Sequence, residues 1–273
     1  MEGARPSQRM TLEAVFLDAG GVLVNPNWTR VSEALARRGV VVEPARLEKA
    51  EPYAKHDLDT APRIRSTTDQ SRGWEYFNLV LQHADVTLTD ATDDALVELH
   101  DYHRRHNLWE SVPAEVPPAL AALRCLGLRL VVVSNSNGTL RAKLDRLRLL
   151  PAFDLVMDSF ELGVEKPDPA IFALALERLG ARAGSTLHVG DFFHIDVVGA
   201  RAAGLHAWLI DTAGLYADHD CPRFPTLSAV VEAVASGARP PAPSPPSNDR
   251  SGRPRGPSHS ARRRSPTRRR PLC

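Results

Sequence analysis

The stretch "FLDAGGVLV", Phe16 to Val24, ends a short apolar run in an aspartate and follows it with two glycines. A strand buried on both faces that delivers a charge at its end and then drops its side chains leaves the core where the backbone must bend sharply or approach something closely. Amide groups brought together in such a bend also favour an anion. Asp18 is therefore the first candidate functional residue, and the fold is read by asking which other segments deliver side chains to the same place.

Four further apolar runs have the length of doubly buried strands: Leu128 to Val133, Leu155 to Met157, Leu187 to Val189 and Ala207 to Ile210. Helical patterns lie between them. "PPALAALRCLG" (117–127) begins with prolines and stops at a glycine, and "HIDVVGARAAG" (194–204) also ends in one. "KPDPAIFALALERLG" (166–180) offers Asp168 as N-cap, Pro169 at the first helical position and Gly180 as C-cap. Strand and helix in alternation predict an α/β fold with an open, Rossmann-like parallel sheet and helices on both faces.

The hundred or so residues after the first strand break this rhythm and read as helices. "WTRVSEALARRG" (28–39), "SRGWEYFNLVLQHA" (71–84) and "DDALVELHDYHRRH" (93–106) each space apolar residues at helical intervals. An all-helical insertion in such a domain is most simply a cap over the carboxyl edge of the sheet, where open parallel sheets bind ligands. The expected organisation is an N-terminal extension (1–10), an α/β core (11–25 and 110–236), a helical cap domain (26–109) and a tail (237–273).

Composition narrows the class. The chain has 273 residues, 43% hydrophobic and 25% charged, which suits a globular protein with a large core. No export signal or membrane-spanning run is visible, and Cys125, Cys221 and Cys273 lack the close spacing of a zinc site or disulfide framework, so a reducing cytoplasm is expected. The formal net charge of +1 hides two opposite parts: residues 238–273 hold ten arginines and one aspartate, leaving −8 for the remainder. That tail is rich in Pro, Ser and Gly and reads as disordered. Weak electrostatic contact with nucleic acid through it is the only nucleic-acid interaction expected, and no membrane partner is. A small-molecule substrate is the expected partner of the folded part.

The polar residues ending the apolar runs form an ordered set. Asp18 follows the first, Ser134 and Asn135 follow "LVVV", Lys166 precedes the capped helix, and "HVGD" ends in Asp191 with Asp196 five residues on. This pattern resembles the haloacid dehalogenase-like hydrolase superfamily over residues 15–210, with the helical insertion where that family carries its first type of cap. The resemblance implies a catalytic set of Asp18 as nucleophile, Ser134 bonding a phosphoryl group, and Lys166 neutralising its charge and orienting Asp18. Ser134, Asn135 and Lys166 would bind phosphate. Asp18, the backbone carbonyl of Gly20, Asp191 and Asp196 would hold Mg²⁺, directly or through water. Phosphoryl transfer needs a positioned nucleophile and positive charge around the equatorial oxygens, and hard oxygen ligands suit that metal.

Phosphatases of the family usually carry a second aspartate where this chain has Gly20. That group protonates the leaving oxygen and then activates water. Its role would fall to a cap residue, to water, or to no group where the leaving group departs unaided; His194, in the loop after Asp191, is a further candidate, since imidazole transfers protons at neutral pH. The expected activity is that of a Mg²⁺-dependent phosphohydrolase acting on a small phosphorylated metabolite through an aspartyl-phosphate. The alternatives are a dehalogenase-like or phosphonate-cleaving hydrolase using the same nucleophile, and a catalytically impaired binding or scaffold protein. The two-carboxylate pattern of "VGDFFHID" argues against a metal-free dehalogenase. Phosphonate cleavage of the family type needs a cap lysine, and the insertion offers only Lys49 and Lys55, which on helices read as solvated charges. His100, His103 and His106 read as a wet helical face, and His188 as a core residue of its strand.

Overall fold

In the computed structural model, which describes residues 12–237, the five apolar runs fall in five strands of one sheet. The strands are β1 (Ala14–Leu17), β2 (Asn25–Pro26), β3 (Trp109–Ser111), β4 (Arg129–Ser134), β5 (Leu155–Asp158), β6 (Thr186–Gly190), β7 (His206–Ile210) and β8 (Arg223–Phe224). Six of them form a parallel sheet in the order β5-β4-β1-β6-β7-β8, which places β1 and its Asp18 near the middle. The arginine-rich tail from residue 238 onward and the extension at 1–10 lie outside the described residues.

The continuous apolar runs are explained by burial on both faces. Along β1, Val15 and Leu17 join a core completed by α6 (Val116–Cys125), α7 (Leu140–Arg146) and α11 (Leu227–Ala235). Ala14 and Phe16 point the other way, into a core shared with α9 (Pro169–Leu179) and α10 (Val198–Ala202). The period of two along a strand sends alternate residues to opposite cores, so neither face tolerates a charge until the strand ends. Helix α9 is built as its caps predict: Asp168 accepts from the backbone N–H of Ala170 at 2.9 Å, and Gly180 closes it with φ of 65°.

The insertion after β1 leaves and rejoins the sheet through the antiparallel ribbon of β2 and β3. Between them run α1 (Trp28–Ala36), α2 (Pro44–Leu58), α3 (Ala61–Ser66), α4 (Asp69–His83) and α5 (Asp90–His106). They share a core of their own, with Leu35, Leu47, Leu58, Val80, Leu81, Leu96 and Leu99 buried. The short α8 (Ser159–Leu162) follows β5. No helix among the described residues is long and apolar enough to cross a membrane.

Candidate active site

Because the inner strands are parallel and in register, their carboxyl ends meet on one edge. Leu17 lies opposite Val132 of β4 and Val189 of β6, so Asp18, Ser134 and Asp191 emerge side by side. They open into a cavity of about 780 Å³ whose lining includes Lys55, Tyr76, Phe77 and His103 from the insertion.

Asp18 accepts two hydrogen bonds on the same oxygen. Its Oδ1 receives the Ala19 N–H at 2.6 Å and the Lys166 ammonium at 3.0 Å, while no hydrogen bond among the described residues engages Oδ2. Lys166 is buried and also bonds Asp196 at 2.7 Å. Burial works against its charge, but the carboxylates of Asp18 and Asp196 outweigh that and raise its pKa. The side chain of Asn135 spans the backbone of Lys166, donating to its carbonyl at 2.9 Å and accepting from its N–H at 2.7 Å. Both ends of that amide are thus committed to holding the lysine.

The carboxylates of Asp18, Asp191 and Asp196 offer oxygens that lie within 4.8 Å of one another. Burial lifts Asp191 to about 7, the charges of Asp18 and Asp196 add to the rise, and the Lys55 ammonium opposes it. Three hard anionic oxygens crowded in this way are a donor set that fits a divalent cation such as Mg²⁺. Asp196 differs from the other two. Its Oδ1 accepts from Lys166 at 2.7 Å and His188 at 2.9 Å, and its Oδ2 from the backbone N–H groups of Asp191 and Phe192 at 3.3 and 3.1 Å. It acts mainly as a bracket joining lysine, histidine and loop. Burial raises its pKa, but Lys166 and His188 more than reverse this and hold it ionised.

The two glycines behave differently. Gly21 has φ of +68°, and a Cβ there would fall 1.9 Å from Asp191 Oδ2 and 3.1 Å from Lys55 Nζ. Its missing side chain is what lets Asp191 and Lys55 close on the loop. Gly20 has no left-handed φ, and a Cβ would meet only Trp109, at 3.4 Å.

Several expectations need correction. His194 is not among the residues lining the cavity; its Nδ1 and backbone N–H bond the Asp59 carboxylate, at 3.1 and 2.9 Å, and the Phe193 N–H does so too. Asp59, at the end of α2, thus ties the insertion to the loop after β6. His188 is more than core filling, since it bonds Asp196. Lys55 is not a solvated charge: its side chain is 11% exposed, bonds Asp191 at 2.9 Å and lies 3.4 Å from Glu51. Burial opposes its protonation, but Asp191 and Glu51 raise its pKa and keep it charged. The three histidines of α5 do not share one wet face, because His103 lines the cavity while His106 is exposed. His103 Nδ1 accepts the Leu108 N–H at 3.1 Å, and burial, helped by the nearby Lys143 and His100, lowers its pKa to about 4.

A family model described as haloacid dehalogenase-like hydrolase matches residues 12–204. A zebrafish (Danio rerio) "haloacid dehalogenase-like hydrolase domain-containing protein 3" is 36% identical over 124 residues, covering 44% of this chain and 51% of that protein. A "ribulose-1,5-bisphosphate 5-phosphatase" of Halopiger xanaduensis is 38% identical over 102 residues, covering 37% of this chain and 43% of its own. The chain thus spans about half or less of the length of these two relatives. Among solved structures, a 2-haloacid dehalogenase from Pseudomonas syringae superposes with a TM-score of 0.52 at 26% identity, covering 84% of this chain and 100% of that one. With the family model spanning the core and the insertion alike, and its characteristic polar residues gathered on one sheet edge, the chain belongs to the haloacid dehalogenase-like hydrolases.

Proposed function

We propose that this hydrolase is a Mg²⁺-dependent phosphohydrolase in which Asp18 attacks phosphorus and forms an aspartyl-phosphate that water then cleaves. The observation that carries the reading is the position of Asp18. One of its oxygens is anchored by Lys166 and the Ala19 N–H and the other makes no hydrogen bond among the described residues, beside two further carboxylates in a cavity. An anchored carboxylate with one oxygen left over is a preorganised nucleophile.

Lys166 sits where it would neutralise a phosphoryl oxygen while fixing Asp18, and Ser134, buried at the end of β4, would donate its hydroxyl to another. Asn135 acts one step back, as a positioning residue for Lys166. Asp18, Asp191 and the carbonyl of Gly20 would hold the cation, which supplies charge neutralisation between nucleophile and phosphoryl group. The helices of the insertion, bound to the core loop through Asp59, serve as the cap that keeps bulk water from the intermediate. The relative named as a phosphatase supports this reading.

A phosphonate-cleaving reading gains one observation, the Lys55 side chain inside the cavity. Imine chemistry needs a free amine, whereas Lys55 is held as an ammonium by Asp191 and Glu51, so the phosphohydrolase reading is preferred.

The test is a panel of phosphate esters, an acyl phosphate, a phosphonate and a haloacid, each with and without Mg²⁺. Metal-dependent release of inorganic phosphate from the esters or the acyl phosphate is expected. Metal-independent halide release would replace this reading with a dehalogenase.

Three further results are expected. Asp191→Asn weakens Mg²⁺ binding at least about tenfold in calorimetric titration, because it removes a charge from a hard-cation donor set. Asp196→Asn instead acts first on stability: it leaves buried Lys166 short of a counter-charge, a cost of about 3 kcal/mol that thermal melting would register. Asn135→Ala lowers kcat by about ten- to a hundredfold with little change in KM, since it loosens a group that acts on the transition state. An Asn135→Ala enzyme with unchanged kcat would show that Lys166 needs no such clamp.

A further inference from the structure

Helix α7 carries a residue that its pattern does not call for. Its buried positions are Leu140, Lys143 and Leu144, so a lysine stands on the apolar face at the spacing where leucine would pack. Lys143 is 4% exposed and lines the cavity. Among the described residues no hydrogen bond or ion pair engages its Nζ. The two carboxylates nearest to it in electrostatic effect are committed elsewhere. Asp18 is anchored by Lys166, and Asp158 accepts the backbone N–H groups of Leu140 at 3.2 Å and Phe160 at 3.0 Å.

A buried ammonium without a hydrogen-bonded counter-ion is costly, and such a charge is retained where something arrives to pair with it. Burial draws Lys143 down to about 8 against the pull of Asp18 and Asp158. The cavity lining includes a second unsatisfied group: the side-chain oxygen of Ser136, in the loop leading to α7, is buried and has no hydrogen-bond partner among the described residues. Neither residue belongs to the set of Asp18, Ser134, Lys166 and the acidic cluster that would handle the phosphoryl group.

The geometry points to a second anion subsite formed by Lys143 with Ser136, so that the substrate is a phosphate ester bearing another negatively charged group, a carboxylate or a second phosphate. This rests on the phosphohydrolase reading, because the first anion must sit against Asp18 and Lys166. Lys143 then selects substrates, and an ester with a neutral tail leaves it unpaired.

The test uses the full chain carrying Asp18→Asn to prevent turnover, with MgCl₂ present, and three probes titrated by calorimetry: ethyl phosphate, 2-phosphoglycolate and 1,3-propanediol bisphosphate. At least one doubly anionic probe is expected to bind about tenfold or more tightly than ethyl phosphate. Adding Lys143→Met should remove that preference and leave ethyl phosphate within about twofold, while Lys143→Arg should keep most of it. The preference in the protein that retains Lys143 is itself decisive, should Lys143→Met fail to fold. Equal binding of all three probes there, or a preference that survives Lys143→Met, overturns the subsite. Equal weakening of all three by Lys143→Met also overturns it, by assigning the lysine to the phosphoryl group. If none of the three binds while the protein is folded by its melting curve, the phosphohydrolase reading falls and the subsite with it.

Discussion

Asp18→Asn is expected to lower turnover by about 10⁴-fold or more while the protein still folds. The amide keeps an oxygen to accept from the Ala19 N–H and the Lys166 ammonium, so the loop retains its anchor. It cannot supply an anionic oxygen to attack phosphorus. Removal of one charge from three carboxylates within 4.8 Å also relieves repulsion, which offsets the loss of a partner for Lys166. The melting temperature is therefore expected to stay within a few degrees. Turnover near the parental rate on the same substrate would remove Asp18 from the mechanism. Folded, inactive protein that also accumulates no phosphorylated chain after acid quench, where the parent does, would place the covalent bond on Asp18.

The sheet was legible because its strands are buried on both faces. Runs such as "LVVV", Leu130 to Val133, contain no polar residue that would blur them before the edge, and there the first polar residue is a candidate by position. Helix α9 was legible from its caps, which act locally and survive any tertiary context. Helix α2 was not legible. Pro52 lies inside it, and Glu51 and Lys55 are charged residues turned inward, so its apolar stripe is broken where it faces the cavity. The same reversal hid Lys143 on α7. Periodicity assigns charges to solvent, and it fails at the places where a protein buries charge for function.

His194, the candidate acid/base, lies outside the cavity lining for a related reason. Sequence proximity to Asp191 placed it near the site, but the chain turns there into a wide helical segment, Phe193–Val197, and the imidazole pairs with Asp59 of the insertion. A partner 135 residues away leaves no trace in the local sequence. The residue beside Gly20 is instead Trp109, whose ring packs against that of His103 with centroids 5.4 Å apart.

That arrangement makes the glycine pair the sharpest test of what limits the enzyme. Gly20→Asp should raise kcat on phosphate esters with poor leaving groups, by up to about 10²-fold, and scarcely change it on an acyl phosphate, whose leaving group departs without a proton. The backbone permits the change: Gly20 has no left-handed φ, and its Cβ would rest at van der Waals distance, 3.4 Å, from the Trp109 ring. Gly21→Ala should do the reverse and abolish activity on both substrates. Its methyl group would overlap Asp191 Oδ2 at 1.9 Å, and its φ of +68° is a conformation alanine resists by about 1 kcal/mol. Asp191 must then move, and Mg²⁺ affinity should fall with it in the same titration used for Asp191→Asn. Steady-state kinetics on the two substrate types separates the two causes. A gain confined to the esters in Gly20→Asp means that the missing group was a proton donor. An equal loss on both would mean instead that Trp109 cannot yield beside a carboxylate, and that the loop after Asp18 is shaped throughout for close approach rather than for proton transfer.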